Sequence, residues 1–253
     1  MPLHRHLRAF VHALQFLTLI PVPSSGLPDR RLQALAMLYY PAVGLLIGAL
    51  LCLGAWLTAA LPGVLQATLV LLLWCALTGG LHLDGLADTA DGWMGGLGDR
   101  ERTLAIMKDP HIGATGVIAL LLQLLLKWSL LLVLLPQTDW WVLLLAPVAA
   151  RTAALLLFAH TPYVRRGGIA GEMLAELSDT AVYVLAAAVS LLLLLIHPLW
   201  LIVPGVLYGL ARLAMMRRLR GCTGDTAGAL IELSESALLL AAALAYSVDP
   251  VLL

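Results

Sequence analysis

The chain has 253 residues, of which 61% are hydrophobic and only 12% are charged. A soluble protein carries about 25% charged residues, so a soluble enzyme is excluded because too few charges remain to cover its surface. The apolar content also excludes intrinsic disorder. Fifteen basic and fifteen acidic residues cancel, which gives no indication of a nucleic-acid partner. Composition therefore predicts a polytopic membrane protein.

The N-terminal segment predicts an amphipathic helix. Its basic and polar residues recur at steps of three and four, at Arg5, Arg8, His12 and Gln15. The opposite face is apolar and holds Leu7, Phe10, Val11, Leu14 and Leu17. Such a helix lies in the membrane interface. Because no A-x-A cleavage site follows, we expect this helix to be retained and not removed as a signal peptide.

Seven further segments are apolar and long enough, or nearly so, to span a bilayer. They cover residues 35–60, 64–81, 113–135, 140–159, 181–196, 200–216 and 236–250. They show no period-2 alternation, which favours helices. The fifth and sixth are separated only by His197 and Pro198, so they form either a tight hairpin of two spans or one broken helix. We predict one all-α domain over residues 1–253, a polytopic membrane bundle of about seven transmembrane helices plus the N-terminal interfacial helix.

The Lys and Arg residues outside these spans all fall on one side of the predicted topology. That side receives the N-terminal segment and loops 82–112, 160–180 and 217–235. By the positive-inside rule it is cytoplasmic. All acidic residues except Asp139 and Asp249 are assigned to the same side. We therefore expect the active site to face the cytoplasm.

The most informative motif places three carboxylates at the end of the second span. Asp84, Asp88 and Asp91 are spaced i, i+4, i+7 and share one helix face. They repel one another and cannot all stay ionised without a cation, and clustered oxygens suit Mg²⁺. The alternative is a solvated acidic face, although ionisable residues at a span are usually functional. His82 is a candidate ligand or proton carrier, or else an interfacial histidine bonded to the backbone.

A second motif, at residues 107–116, combines Lys108, Asp109 and His111 with glycines just before a span. Lys108 could meet a phosphate as a point charge. Its alternative role is that of a basic flank that obeys the positive-inside rule.

A third motif lies at residues 222–235. Asp225, Gly228, Glu232 and Glu235 share a helix face, and a helix that starts near Gly224 would present free N–H groups to an anion. The alternative is an N-cap Asp followed by a solvated acidic helix.

Basic residues complete the pattern. Residues 165–168 and 217–220 could hold an anionic substrate or anchor lipid headgroups. Lys127 and Arg151 lie within spans and need partners there, and an acidic cluster is the candidate partner of Arg151. Clustered acids, Mg²⁺ and surrounding bases are what phosphoryl transfer from a diphosphate requires.

These motifs resemble the adenosylcobinamide-GDP ribazoletransferase family, also called cobalamin (5′-phosphate) synthase. The run HLDGLADTADG at 82–92 is highly specific, and TGDT at 223–226 follows at the expected distance. The other matches occur in family order over almost the whole chain, at 16–18, 21–23, Pro41, Gly44, Gly48, 106–109, 112–113, Tyr163, Arg165, Gly228, Ala229 and 232–233. Departures at Leu19, Cys222 and Ala227 change no metal-ligand type, although Leu19 argues against an essential charge at its position.

The resemblance implies a Mg²⁺-dependent enzyme of the cell (inner) membrane that converts adenosylcobinamide-GDP and α-ribazole into adenosylcobalamin and GMP. With α-ribazole 5′-phosphate the product is the corresponding 5′-phosphate. On this basis we expect metal ligands at Asp84, Asp88, Asp225 and Asp109. We expect catalytic roles, with attack by the α-ribazole 5′-hydroxyl, for Asp91, His82 and Lys108. We expect substrate contacts at Arg165, Arg151, Thr223, Gly224 and His111.

The expected partners are these two substrates and the lipid bilayer, while a homo-oligomer and other corrinoid-assembly enzymes are open alternatives. Two rival functions are a Mg²⁺-dependent phosphotransferase of the CDP-alcohol type, acting on a lipid alcohol or prenyl diphosphate, and a transporter. Against the transporter, the acids are expected at one membrane face, and no matched pair of broken helices is evident.

Overall fold

The computed structural model describes residues 2–23, 28–137, 140–165 and 174–248. These residues form α-helices joined by short loops, with a one-turn 3-10 helix at Leu135–Gln137. The all-α prediction is confirmed. The helices are α1 (Pro2–Leu17), α2 (Arg30–Met37), α3 (Tyr40–Leu57), α4 (Gly63–Thr78), α5 (Leu81–Gly95), α6 (Arg100–Ile106), α7 (Ala114–Leu134), α8 (Trp141–His160), α9 (Asp179–Ile196), α10 (Pro198–Leu219) and α11 (Gly224–Val248).

Six of the described helices are long and apolar enough to cross a membrane, namely α3, α7, α8, α9, α10 and α11. A seventh candidate span is the pair α4 and α5, which is bent by 87°. This agrees with the predicted seven transmembrane helices. The protein is therefore a multi-pass membrane protein.

The first predicted span, residues 35–60, is two helices in the structure. The short helix α2 is capped by Asp29, whose carboxylate Oδ1 accepts a hydrogen bond from the Leu32 N–H at 2.6 Å. The membrane-spanning α3 begins with Pro41 in its first turn, where the missing N–H of proline costs no hydrogen bond. Only α3 has the length and hydropathy of a span.

The fifth and sixth predicted spans are a hairpin. α9 and α10 are each long enough to cross the membrane alone. His197 connects them, and its ring Nδ1 accepts the Leu199 N–H at 3.1 Å. Pro198 then occupies the first turn of α10. Of the two alternatives, the hairpin of two spans is correct.

The last span starts twelve residues earlier than predicted, at Gly224 instead of 236. The acidic residues of its first half lower the local hydropathy, which is why the sequence pattern assigned residues 217–235 to a loop. Glu232 and Glu235 are nevertheless 3% and 1% exposed within the helix. The expectation that all acids gather at one membrane face is therefore wrong for these two residues.

The N-terminal helix α1 packs on α2 and α3. Its buried residues are Ala9, Ala13, Leu14 and Leu17, whereas Leu7 is exposed. The predicted apolar face is thus divided between protein contact and exposed surface.

The centre of the bundle is formed by α8 and α11, which pack against each other and on most of the other spans. α3 approaches α8 closely through two glycines. A Cβ atom added at Gly44 would lie 2.9 Å from the Cα of Val148, and one at Gly48 would lie 2.7 Å from the Cα of Leu144. Small residues allow such close helix contacts in membranes.

Candidate active site

Two consecutive glycines turn α5 away from the axis of α4. Gly79 and Gly80 have φ angles of +62° and +72°, in a region of backbone space where glycine is strongly favoured. The resulting 87° bend sends α5 across α11. The sequence run that carries the aspartates is therefore a separate helix laid over the last span.

α5 and α11 touch through their backbones. A Cβ atom at Gly85 would lie 2.8 Å from the carbonyl oxygen of Asp225, and one at Gly228 would lie 3.4 Å from the Cα of His82. A side chain at Gly85 would therefore push the helices apart, whereas one at Gly228 would only reach van der Waals contact. The crossing brings Asp84 beside Asp225, and both residues line one cavity.

We call Asp84, Asp88 and Asp225 the acidic cluster. Asp84 and Asp88 lie one turn apart on α5, and Asp225 lines the same cavity as Asp84. Arg165 Nη2 donates a hydrogen bond to Asp225 Oδ2 at 2.6 Å. The cluster thus collects three carboxyl groups, and the Asp225 carboxyl is paired with a guanidinium.

The donor chemistry of this cluster fits Mg²⁺. Mg²⁺ typically takes one or two carboxylates together with waters and substrate phosphates, and not a complete protein cage. In the part of the chain that the structure describes, no three His, Cys, Asp or Glu side chains already form a metal site. The arrangement therefore fits a metal that is bound jointly with a diphosphate.

A short backbone pairing positions Arg165. The Val164 N–H donates to the Cys222 carbonyl at 3.0 Å, and the Cys222 N–H donates to the Pro162 carbonyl at 2.8 Å. Burial raises the pKa of the Cys222 thiol to about 12, so this side chain is a packing residue and not a thiolate. The neighbouring residues Arg166, Gly167 and Gly168, like Asp139 and Asp249, lie outside the described residues.

The N-terminus of α11 is capped by threonines. Thr223 Oγ1 accepts the Thr226 N–H at 3.2 Å, and Thr226 Oγ1 accepts the Thr223 N–H at 2.9 Å, which is a reciprocal arrangement like a capping box. Asp225 is therefore not the N-cap residue. Thr223 is fully buried, so the geometry does not support its predicted contact with substrate, which stays a prediction. Gly224 is exposed and lines the cavity.

Asp91 has a structural role that the sequence did not indicate. Its Oδ2 accepts the Gly113 N–H at 2.7 Å, and its Oδ1 accepts the Gly116 N–H at 2.8 Å. Both oxygens thus satisfy free backbone donors at the start of α7. The geometry supports a helix cap and not the predicted general base.

His82 lines the cavity beside Asp84 and is 4% exposed. Its Nδ1 is a buried atom with no hydrogen-bond partner among the described residues. The alternative that His82 is an interfacial histidine bonded to the backbone does not hold for Nδ1. The catalytic role of His82 stays a prediction. The same cavity, of about 170 Å³, has aromatic walls that include Phe16, Tyr40 and Phe158.

A second pocket, which we call the basic pocket, has Arg165 in its wall. Its volume is about 290 Å³, and its lining residues are Arg100, Glu101, Leu104, Lys108, Val164 and Arg165. Lys108 and Arg165, which were both predicted to bind phosphate, thus line the same pocket. Arg100 was missed, although its spacing of four from Leu104 and eight from Lys108 indicates one shared face.

Asp109 and His111 pair with each other instead of joining the acidic cluster. Asp109 Oδ1 lies 2.7 Å from His111 Nδ1 and accepts the His111 N–H at 3.0 Å. The backbone hydrogen bond, followed by the side-chain contact, holds the pKa of Asp109 below its usual value. Neither residue lines the two pockets described above. Their predicted metal and substrate contacts stay predictions that the geometry does not support.

Four charged residues form a buried charge cluster inside the bundle, namely Lys127, Arg151, Glu232 and Glu235. Lys127 Nζ lies 2.7 Å from both Glu232 Oε2 and Glu235 Oε2, and Arg151 Nη1 lies 2.8 Å from Glu235 Oε1. The expected acidic partner of Arg151 is confirmed. The Arg151 side chain is 0% exposed, so the geometry does not support its predicted contact with substrate, which stays a prediction.

The fold and the site define a multi-pass membrane protein with an acidic, base-flanked site where α8 ends and α11 begins. The chain belongs to the cobalamin-5-phosphate synthase family, whose sequence model matches residues 9–243.

Similar proteins include adenosylcobinamide-GDP ribazoletransferases from Stutzerimonas stutzeri and Pseudomonas aeruginosa. The first is 51% identical over 235 residues, which is 92% of this chain and 96% of the relative. The second is 50% identical over 242 residues, covering 94% of this chain and 98% of the relative. A relative from Pseudomonas fluorescens is 48% identical over 237 residues, covering 92% and 97%. No solved structure matches the chain.

Proposed function

We propose that this protein transfers the cobinamide phosphate of adenosylcobinamide-GDP to α-ribazole or its 5′-phosphate and releases GMP. The observation that carries the proposal is the close crossing of α5 and α11 at Gly85. This crossing places Asp84 and Asp88 beside Asp225 and Arg165. The similar proteins are named after this reaction. About half of the aligned residues are identical to those of this chain, over nearly the whole length of each relative.

In the proposed reaction a ribose hydroxyl attacks the phosphorus nearer cobinamide. A new phosphorus–oxygen bond forms, the bond to the bridging oxygen breaks, and GMP leaves with the bond electrons. The hydroxyl proton passes to His82 or to a carboxylate of the acidic cluster, which lie on the cavity side of the site. Arg165 and Lys108 stabilise the negative charge that develops on the departing phosphate.

The identity of the attacking hydroxyl follows from the family name, which describes a cobalamin 5-phosphate as product. An oxygen that already carries a phosphate cannot attack. A secondary ribose hydroxyl is therefore the nucleophile with α-ribazole 5′-phosphate. We propose the same secondary hydroxyl for both acceptors, in place of the 5′-hydroxyl.

Mg²⁺ bound to the acidic cluster would neutralise the diphosphate and favour in-line displacement. Asp84, Asp88 and Asp225 are the residues that would hold it. We place the protein in the cell (inner) membrane, with this site on the cytoplasmic side, because the basic loops lie at the same helix ends.

The test is turnover by purified protein in liposomes supplied with adenosylcobinamide-GDP, α-ribazole and Mg²⁺. We expect GMP and the completed corrinoid in equal amounts, and loss of both with EDTA. The variant Asp84→Asn should lower turnover by at least about 100-fold and still insert in the membrane. Glu176→Gln, an exposed carboxylate that pairs with Arg31, is the matched control.

No product from folded protein would overturn the proposal. Substrate flux without product would then identify a transporter, and use of a lipid alcohol would identify a different membrane phosphotransferase. Full activity of Asp84→Asn would remove the acidic cluster from the mechanism.

A further inference from the structure

The basic pocket has the composition of a nucleotide site. Arg100, Lys108 and Arg165 give it three positive charges, and Leu104 and Val164 give it apolar surface. Cationic side chains suit phosphate oxygens, and apolar side chains suit the face of a base. Arg100 is held in place because its Nε donates to the Leu219 carbonyl at 2.7 Å.

Arg165 joins this pocket to the acidic cluster. Its side chain lines the basic pocket and also donates to Asp225 Oδ2 at 2.6 Å. Asp84 and Asp225 of the cluster line the cavity with the aromatic walls. A diphosphate held at the cluster would therefore point one half toward the aromatic cavity and the other half into the basic pocket. The charged nucleotide half matches the three positive charges of the basic pocket.

Glu101 is the one acidic side chain that lines the described pocket. It is exposed, and among the described residues no hydrogen bond or ion pair engages its carboxylate, although cations stand nearby. An ionised carboxylate is a pure acceptor with two oxygens. Guanine offers two adjacent donors, N1–H and the 2-amino group, whereas adenine offers a donor beside an acceptor. The carboxylate therefore matches the guanine edge and mismatches adenine.

We infer that the basic pocket binds the guanine nucleotide half of the substrate, and that Glu101 selects guanine by accepting hydrogen bonds from N1–H and the 2-amino group. This inference rests on the proposed function and assigns a specificity residue within it. Lys108 and Arg165 contact phosphate and contribute equally for any base.

The experiment measures binding of GMP, IMP and AMP to the full-length protein in detergent, in parallel with turnover. We expect the order GMP, then IMP, which lacks the 2-amino group, then AMP. Glu101→Gln should weaken GMP binding by about tenfold or more, the scale of a hydrogen bond to a charged group, and leave AMP binding unchanged. Lys108→Gln should weaken GMP and AMP by the same factor. Glu176→Gln is the matched control and should change neither.

The outcomes separate the two proposals. If the protein turns over substrate and Glu101→Gln keeps the wild-type ratio of GMP to AMP affinity, the assignment of Glu101 is overturned and the proposed function stands. If wild-type protein releases no GMP from adenosylcobinamide-GDP, the proposed function fails. Glu101→Asp, which keeps the carboxylate, should retain a preference for GMP, and equal loss in this variant and in Glu101→Gln would also contradict the assignment.

Discussion

At the scale of single residues, Asp91 shows how a carboxylate in a catalytic motif can serve the fold. It shares a helix face with Asp84 and Asp88 in sequence. In the structure, however, both of its oxygens accept backbone N–H groups of Gly113 and Gly116. A carboxylate engaged in this way joins α5 to the start of α7, and Asp91 is not among the residues that line the cavity.

The role of Asp91 can be tested with Asp91→Asn. The amide keeps one acceptor oxygen for the α7 N-terminus but cannot act as a base. We expect turnover to stay within about tenfold of wild type, because loss of a general base would cost about 10²–10⁴-fold. Steady-state turnover in liposomes measures this, and the melting temperature should fall slightly. A fall of 100-fold or more without loss of folded protein would restore Asp91 as a catalytic base.

At the scale of elements, the crossing of α5 and α11 is the feature on which the site depends. Neither helix contains the whole acidic cluster, since Asp84 and Asp88 come from α5 and Asp225 comes from α11. Their separation is set by the absence of a side chain at Gly85. A displacement of about 1 Å can cost a hundredfold in rate when reacting groups are misplaced.

We therefore expect Gly85→Ala to lower turnover by about 100-fold, because the new Cβ would lie 2.8 Å from the Asp225 carbonyl oxygen. The measurement is turnover against Mg²⁺ concentration. The variant should also need a higher Mg²⁺ concentration than wild type for half-maximal turnover. Gly209→Ala is the control, since a Cβ there meets nothing within 4 Å. Wild-type activity in Gly85→Ala would show that the helices tolerate a wider spacing.

At the scale of the whole molecule, the buried charge cluster connects three spans. Lys127 belongs to α7, Arg151 to α8, and Glu232 and Glu235 to α11. Removing one member of a buried ion pair leaves an uncompensated charge and typically costs about 3–5 kcal/mol. The cluster should thus contribute to the stability of the bundle more than to the chemistry at its end.

Lys127→Met is expected to destabilise the protein by about that amount, seen as a lower midpoint of thermal unfolding in detergent. Lys108→Met removes an exposed lysine and should leave this midpoint unchanged. The double variant Lys127→Met, Glu232→Gln should recover part of the loss, because it removes a negative charge along with the positive one. Equal midpoints for wild type and Lys127→Met would mean that the pairs contribute nothing to stability.

Much of this architecture follows from the sequence, since long apolar runs specify spanning helices almost by themselves. The motifs around Asp84 and Asp225 likewise identified the two segments that meet at the site. Local patterns could not show which groups pair across helices. That Glu232 and Glu235 lie inside a span depends on cations more than eighty residues away in the chain. The pocket around Arg100 and Glu101 likewise depends on the fold of a distant loop.

The order of the charges along the chain has a consequence for biogenesis. Lys127 and Arg151 are synthesised before Glu232 and Glu235, so when α11 leaves the ribosome its partners are already in the nascent bundle. A carboxylate at the centre of a lone helix disfavours insertion by about 2.5–3.5 kcal/mol. Entry of the last helix into the lipid is therefore coupled to the correct placement of α7 and α8. Membrane insertion of this segment and assembly of the candidate site at its end become one event.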